Sequence, residues 1–195
     1  MLILADMTIE VEKWPLREPF RFAGFTIEVL ETVLVTVSDG THKGRGEGVH
    51  PVVFSATMEE IVAQLRDARM AILAGSDADA TCQALGGGPA RNALDCALWD
   101  LRAKASGRSI WDLARLPHRP ERLVVDQTIG LGQPSDMAEA AARSGHSLLK
   151  LKLDAEMIVE RVSAVRAARP DAELIVDANQ SWSMALLNRH AASLA

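Results

Sequence analysis

Leu148-Leu-Lys-Leu-Lys-Leu153, answered further on by Leu174-Ile-Val-Asp-Ala-Asn179, decides how this chain is read. Both stretches have the apolar character of short buried strands, and both lead into segments of helical character. Lys150 and Lys152 are two apart, so they leave one face of their strand while Leu149, Leu151 and Leu153 leave the other. Two ammonium groups side by side inside a sheet are costly unless something uses them. The second strand ends in an acid, Asp177, and the C-terminal tips of strands are where open α/β sheets and α/β barrels place their chemistry.

Outward from this pair, the spacing repeats. Leu123-Val-Val-Asp-Gln-Thr-Ile129 predicts an earlier strand, and Pro134 to Ser144 a helix. A second helix is expected over about 155–168 and a last one from about Ser183. Thr128 lies 24 residues before Lys152, which lies 25 before Asp177. Three βα units of even length imply parallel strands joined by right-handed crossovers. A dinucleotide-binding start would need Gly-x-Gly-x-x-Gly after the first strand. Ile129-Gly-Leu-Gly-Gln-Pro134 carries only two of those glycines, so a barrel is the better reading.

Before residue 116 the rhythm differs. Residues 2–14 and 27–38 alternate like strands, with Pro15 and Pro19 expected to break the ladder and Phe20-Arg-Phe-Ala-Gly24 to form a loop. Asp39-Gly40 is a turn signal, and Gly44-Arg-Gly-Glu-Gly-Val49 returns as a third strand. Thr57 with Glu60 is a capping-box pattern opening a helix to about residue 74, and Asp77 begins a shorter one. Pro89 starts a long helix through Ala105, with Gly107 as its stop. Gly86-Gly-Gly88 lacks the ending of a phosphate loop and reads as a plain turn. Cys82 and Cys96 fit neither a metal nor a redox spacing and read as small core residues. Leu116-Pro-His-Arg-Pro-Glu121 is the expected domain boundary.

With 195 residues, 48% of them hydrophobic, and a net charge of −5, the chain is globular with an adequate core. It has no basic run, no apolar stretch of membrane-spanning length and no signal-peptide pattern. Nucleic acid and membrane are therefore not expected as partners. Two thiols without an export signal suggest a cytoplasmic protein.

Lys150-x-Lys152, Asp177-Ala-Asn179 and the helix Ala90-Arg-Asn-Ala-Leu-Asp-Cys-Ala-Leu-Trp-Asp-Leu101 together resemble the enolase superfamily, in its muconate-lactonizing subgroup. Within it the chain looks most like dipeptide epimerases of the L-Ala-D/L-Glu type. The resemblance implies an α+β capping domain over residues 1–115. Over 122–195 it implies the first three βα units of a TIM-like (β/α)7β barrel, truncated. Lys152 would be one of two opposed acid/base catalysts, and Lys150 would contact the substrate carboxylate beside it. Asp177 would be the first of three carboxylate ligands to Mg²⁺, and Thr128 a substrate contact. Relatives carry an arginine near the position of Phe25; here Arg21 stands in that loop as the candidate contact for the substrate's far carboxylate. The other two metal ligands and the opposing lysine would lie on later strands, and the 195 residues alone are expected to be inactive.

The residue types suit that chemistry. A proton α to a carboxylate is weakly acidic because its loss puts a second negative charge on the same group. A hard divalent cation stabilises the resulting enediolate. A lysine acts as a base near neutral pH only when burial or a neighbouring cation lowers its pKa; lysine or histidine bases with Mg²⁺ are the general pattern of enolase-superfamily sites. The expected partner is a small dipeptide or other carboxylate, with homo-oligomerisation left open. N-acyl amino acid racemisation, o-succinylbenzoate synthesis and cycloisomerisation would use the same residues. Two further readings stay open: a Schiff-base aldolase, which also carries a strand lysine, and a folded fragment without activity. Asp177 and Asn179 also have a plainer reading, as helix-capping residues of a βα loop.

Overall fold

The computed structural model describes residues 2–22, 24–50, 56–118 and 122–194. It divides into two compact units, Met1–Pro15 with Val29–Arg119 and Leu16–Glu28 with Pro120–Ala195. Residues 119–121 of the expected linker lie outside the described residues.

In the first half of the chain the order is β1 (Asp6–Phe22), β2 (Phe25–Ser38), β3 (Lys43–Val49), α1 (Met58–Leu73), α2 (Ala78–Ala84), α3 (Pro89–Ser106) and the single turn α4 (Ile110–Leu113). The sheet order is β1-β2-β3, so β1 is an edge strand. That position corrects the reading of Pro15 and Pro19: β1 continues through both, because an edge strand has an open side that needs no N–H donor. The Phe20–Gly24 loop is correspondingly shorter, since Phe20 to Phe22 belong to β1 and Phe25 to β2.

β2 and β3 pair antiparallel with Val33, Val35 and Val37 opposite Gly48, Gly46 and Gly44. The three valines are fully buried. The three glycines let α3 lie directly on the strand: a Cβ at Gly46 would collide with the Ala93 carbonyl and the Ala97 N–H, and one at Gly44 with Ala97 and Leu101. Ala93, Ala97 and Leu101 recur at helical spacing on the α3 face that meets them. Thr57 closes a complete capping box with Glu60, and Gly107 ends α3 in the left-handed conformation. Cys82 is in the core as expected, but Cys96 is exposed, since its neighbours Ala97 and Ala93 take the buried face.

The second half runs β4 (Gln127–Ile129), α5 (Pro134–Arg143), β5 (Leu148–Lys152), α6 (Ile158–Ala168), β6 (Glu173–Asp177) and α7 (Met184–Leu194). The strands are parallel in the order β4-β5-β6, with β5 in the centre. β4 is shorter than the expected strand over 123–129. Leu123, Val124 and Val125 are exposed and outside it, so the apolar run does not by itself make a ladder. Ile129, Leu149, Leu151 and Leu153 face one way and pack with Met137 and Ala141 of α5 and with Ile158 and Val165 of α6. The opposite face of the same strands carries the polar residues.

Among the described residues, no helix is long and apolar enough to cross a membrane.

Candidate active site

Register fixes which side chains share that polar face. Thr128 is opposite Lys150, and Lys152 is opposite Asp177. Because alternate residues on a strand leave the same face, Thr128, Lys150, Lys152 and Asp177 stand together at the C-terminal ends of three neighbouring strands. β5 is the central strand, so neither lysine leaves from a sheet edge.

One carboxylate oxygen ties the group together. Asp177 Oδ2 accepts from Lys152 Nζ at 2.8 Å and from Lys150 Nζ at 2.9 Å. Its Oδ1 accepts from the Asn179 backbone N–H at 2.9 Å. The Lys152 hydrogen bond, with Lys150 and the Asn179 N–H adding to it, holds the Asp177 carboxyl well below the usual carboxylate range. Lys152 is buried, with its side chain 10% exposed, whereas the Lys150 side chain is 34% exposed. The buried ammonium group is tolerated because its counter-charge sits on the adjacent strand. Beside the group a cleft of about 440 Å³ is lined by Lys150, Ile175, Asp177, Asn179 and Trp182.

The loop after β6 is unusual. Asn179 and Gln180 are consecutive non-glycine residues at positive φ, 45° and 66°. Such conformations cost energy and collect at functional sites. Asn179 Oδ1 is buried with no hydrogen-bond partner. A carboxylate at a strand tip beside an orphaned amide oxygen fits a hard cation, which takes oxygen ligands. Among the described residues no three His, Cys, Asp or Glu side chains gather, so Asp177 would be one ligand of several.

Two arginines that sequence reasoning passed over organise the loops. Arg161 of α6 is 4% exposed. Its Nε donates to the Gly132 carbonyl at 2.9 Å, and its Nη1 to Asp154 Oδ1 at 2.5 Å and the Glu156 carbonyl at 2.6 Å. The Asp154 carbonyl in turn accepts from Trp182 Nε1 at 2.7 Å. Arg161 thus ties the loop after β4 to the loop after β5, and Trp182 ties the loop after β6 to the same Asp154. The signal was present: Ile158, Arg161 and Val165 share one buried helical stripe, and a cation there has to be paired. Arg169 similarly donates to the Ser144 and His146 carbonyls and to Asp171. Arg21, the expected far-carboxylate contact, is exposed, and its backbone carbonyl accepts from Leu131 N–H at 2.9 Å.

A parallel βα sheet with a lysine pair and an acid at its strand tips defines the class: residues 135–195 match the enolase C-terminal domain-like family. Residues 4–114 match the N-terminal domain of mandelate racemase / muconate lactonizing enzyme, and the chain belongs to that family. It is 38% identical to the L-Ala-D/L-Glu epimerase of Escherichia coli over 174 residues, covering 88% of this chain and 54% of the relative. An Agrobacterium tumefaciens enolase family member solved with sodium and L-Ala-L-Glu superposes with TM-score 0.86 at 33% identity, over 94% of this chain and 56% of that one. A Methylococcus capsulatus dipeptide epimerase solved with Mg and L-Arg-D-Lys superposes with TM-score 0.84 at 29% identity, over 97% and 58%. The chain spans little more than half the length of these relatives.

Proposed function

We propose that these residues form part of the active site of an Mg²⁺-dependent dipeptide epimerase of the L-Ala-D/L-Glu type. The carrying observation is Lys152 and Lys150 on one oxygen of Asp177, at the tips of adjacent parallel strands. Lys152, the more buried lysine, takes the role of base: neutral Nζ removes the substrate α-proton, and the C–H electron pair moves into the carboxylate. Lys150 and Thr128, on the same face, bind that carboxylate. Returning a proton to the opposite face of the carbon gives the other epimer. Asp177, with Asn179 beside it, would hold Mg²⁺, which when bound supplies Lewis-acid stabilisation of the second negative charge. The likeness to a dipeptide epimerase and an enolase family member, both solved with dipeptides, and to the Escherichia coli enzyme favours a dipeptide over other carboxylates. The remaining ligands and the opposing base belong, in this reading, to the part of the relatives' length that the match does not cover. Barrel closure belongs there too.

The test is made on the full-length protein. L-Ala-L-Glu and L-Ala-D-Glu are expected to interconvert, with activity lost to EDTA and restored by Mg²⁺. Lys152→Ala is expected to slow interconversion by about a thousandfold, within the span of general-base contributions, with the circular dichroism spectrum retained. Turnover indifferent to chelation, or parental turnover in Lys152→Ala, would overturn the assignment.

A further inference from the structure

We propose that Phe22 is a positioning residue for Lys152, its ring forming the wall against which the ammonium group is held; the inference rests on the epimerase reading. The end of β1 lies in the same compact unit as the parallel sheet. There Lys152 Nζ sits 5.6 Å from the centroid of the Phe22 ring. Phe22 is buried, 9% exposed, and Lys152 is 8% exposed, so the contact is shielded from water.

The ring is itself held. It stacks on Phe25 at 5.4 Å with 26° between the planes, and it meets Phe20 at 5.6 Å and 41°. One residue away, the Arg21 carbonyl is bonded to the Leu131 N–H of the loop after β4. A lysine ammonium rides on a four-carbon stem and has little of its own to fix it. Here Asp177 Oδ2 holds it from β6 at 2.8 Å while the aromatic face bounds it from β1. A cation within ~6 Å of a ring centroid is attracted by the ring's quadrupole, more so where water is excluded. An aliphatic side chain of similar bulk would fill the space without that attraction. The stretch Phe20-Arg-Phe22, which reads from sequence as loop, therefore supplies a surface for the base.

Lys152 serves one face of the substrate carbon, so the effect has a sidedness that general loosening lacks. In D₂O, α-proton exchange and inversion are followed separately by NMR, starting from L-Ala-L-Glu and from L-Ala-D-Glu, in the full-length protein. Lys152→Arg identifies the epimer served by the other base: that one still exchanges while inversion stops. Phe22→Leu is expected to shift the same epimer in the same sense. Inversion should fall by about threefold to tenfold, the range a single cation–π contact spans, while that epimer's exchange is kept. Phe22→Tyr, which keeps the ring face, is expected to match the parent.

The exchange-to-inversion ratio does not depend on the fraction of protein folded, and Phe22→Met provides a second aliphatic replacement should Phe22→Leu not accumulate. Equal ratios for both epimers in the aliphatic variant would overturn the proposal, whether rates are parental or uniformly lowered. So would Phe22→Tyr behaving like Phe22→Leu. A parent that exchanges neither α-proton sinks the epimerase reading, and this inference with it.

Discussion

At the scale of single residues, charge pairing explains why polar groups are tolerated where the strands end. Lys150 and Lys152 would be a liability on a buried face; Asp177 on the neighbouring strand pairs with both, and the less buried Lys150 keeps contact with water. The pair Arg169–Asp171 does the same at the other end of β6, and its hydrogen bond takes the Asp171 carboxyl down to about 2. Because that value is below the unfolded one, near 3.8, the folded state is favoured by ionised Asp171. The contribution is complete above the unfolded value and disappears as pH falls through the folded one. Thermal melting between pH 5 and pH 2 is therefore expected to show a steeper loss of Tm in the parent than in Asp171→Asn. Parallel curves for the two proteins would show that the ion pair contributes nothing, as many exposed pairs do.

At the scale of elements, the three alternate glycines of β3 decide how closely α3 approaches. Gly46→Ala puts a methyl group into backbone atoms of Ala93 and Ala97, which have no flexible end to move aside. The expected cost is about 3 kcal/mol, at the upper end for overpacking, read as a lowered urea midpoint with unchanged slope. A variant as stable as the parent would mean that α3 shifts freely, and the close packing would then be no constraint. Gly44-Arg-Gly-Glu-Gly48 was legible in sequence as a strand, but not as a docking groove, because a glycine's purpose lies in the partner it admits. Prolines 15 and 19 were misread for a related reason. Whether they break a ladder depends on which side of the strand is open, and that is a property of the sheet.

At the scale of the whole molecule, the site is a convergence of segments from both ends of the chain. Met1–Ala195 expressed by itself is expected to show no epimerase turnover, and a protein of the relatives' full length is expected to show it. Among the described residues Asp177 has no second and third carboxylate or histidine beside it, and Mg²⁺ needs a near-octahedral set of oxygens. Measurable epimerisation by the 195 residues alone would refute the assignment of the remaining ligands and the opposing base to the uncovered part of the relatives' length. The alternation of strands and helices after residue 122, the face shared by Lys150 and Lys152, and the acid at the tip of β6 were determined by sequence alone. Residue spacing suffices there: a period of two or 3.6 dictates which way a side chain leaves its own element. Tertiary structure alone decided that both lysines meet a single oxygen of Asp177, that Arg161 joins the loops after β4 and β5, and that Phe22, 130 positions before Lys152, closes over its ammonium group. Those are distances between segments remote in the chain, and they are set by how the cores pack, which no local period records.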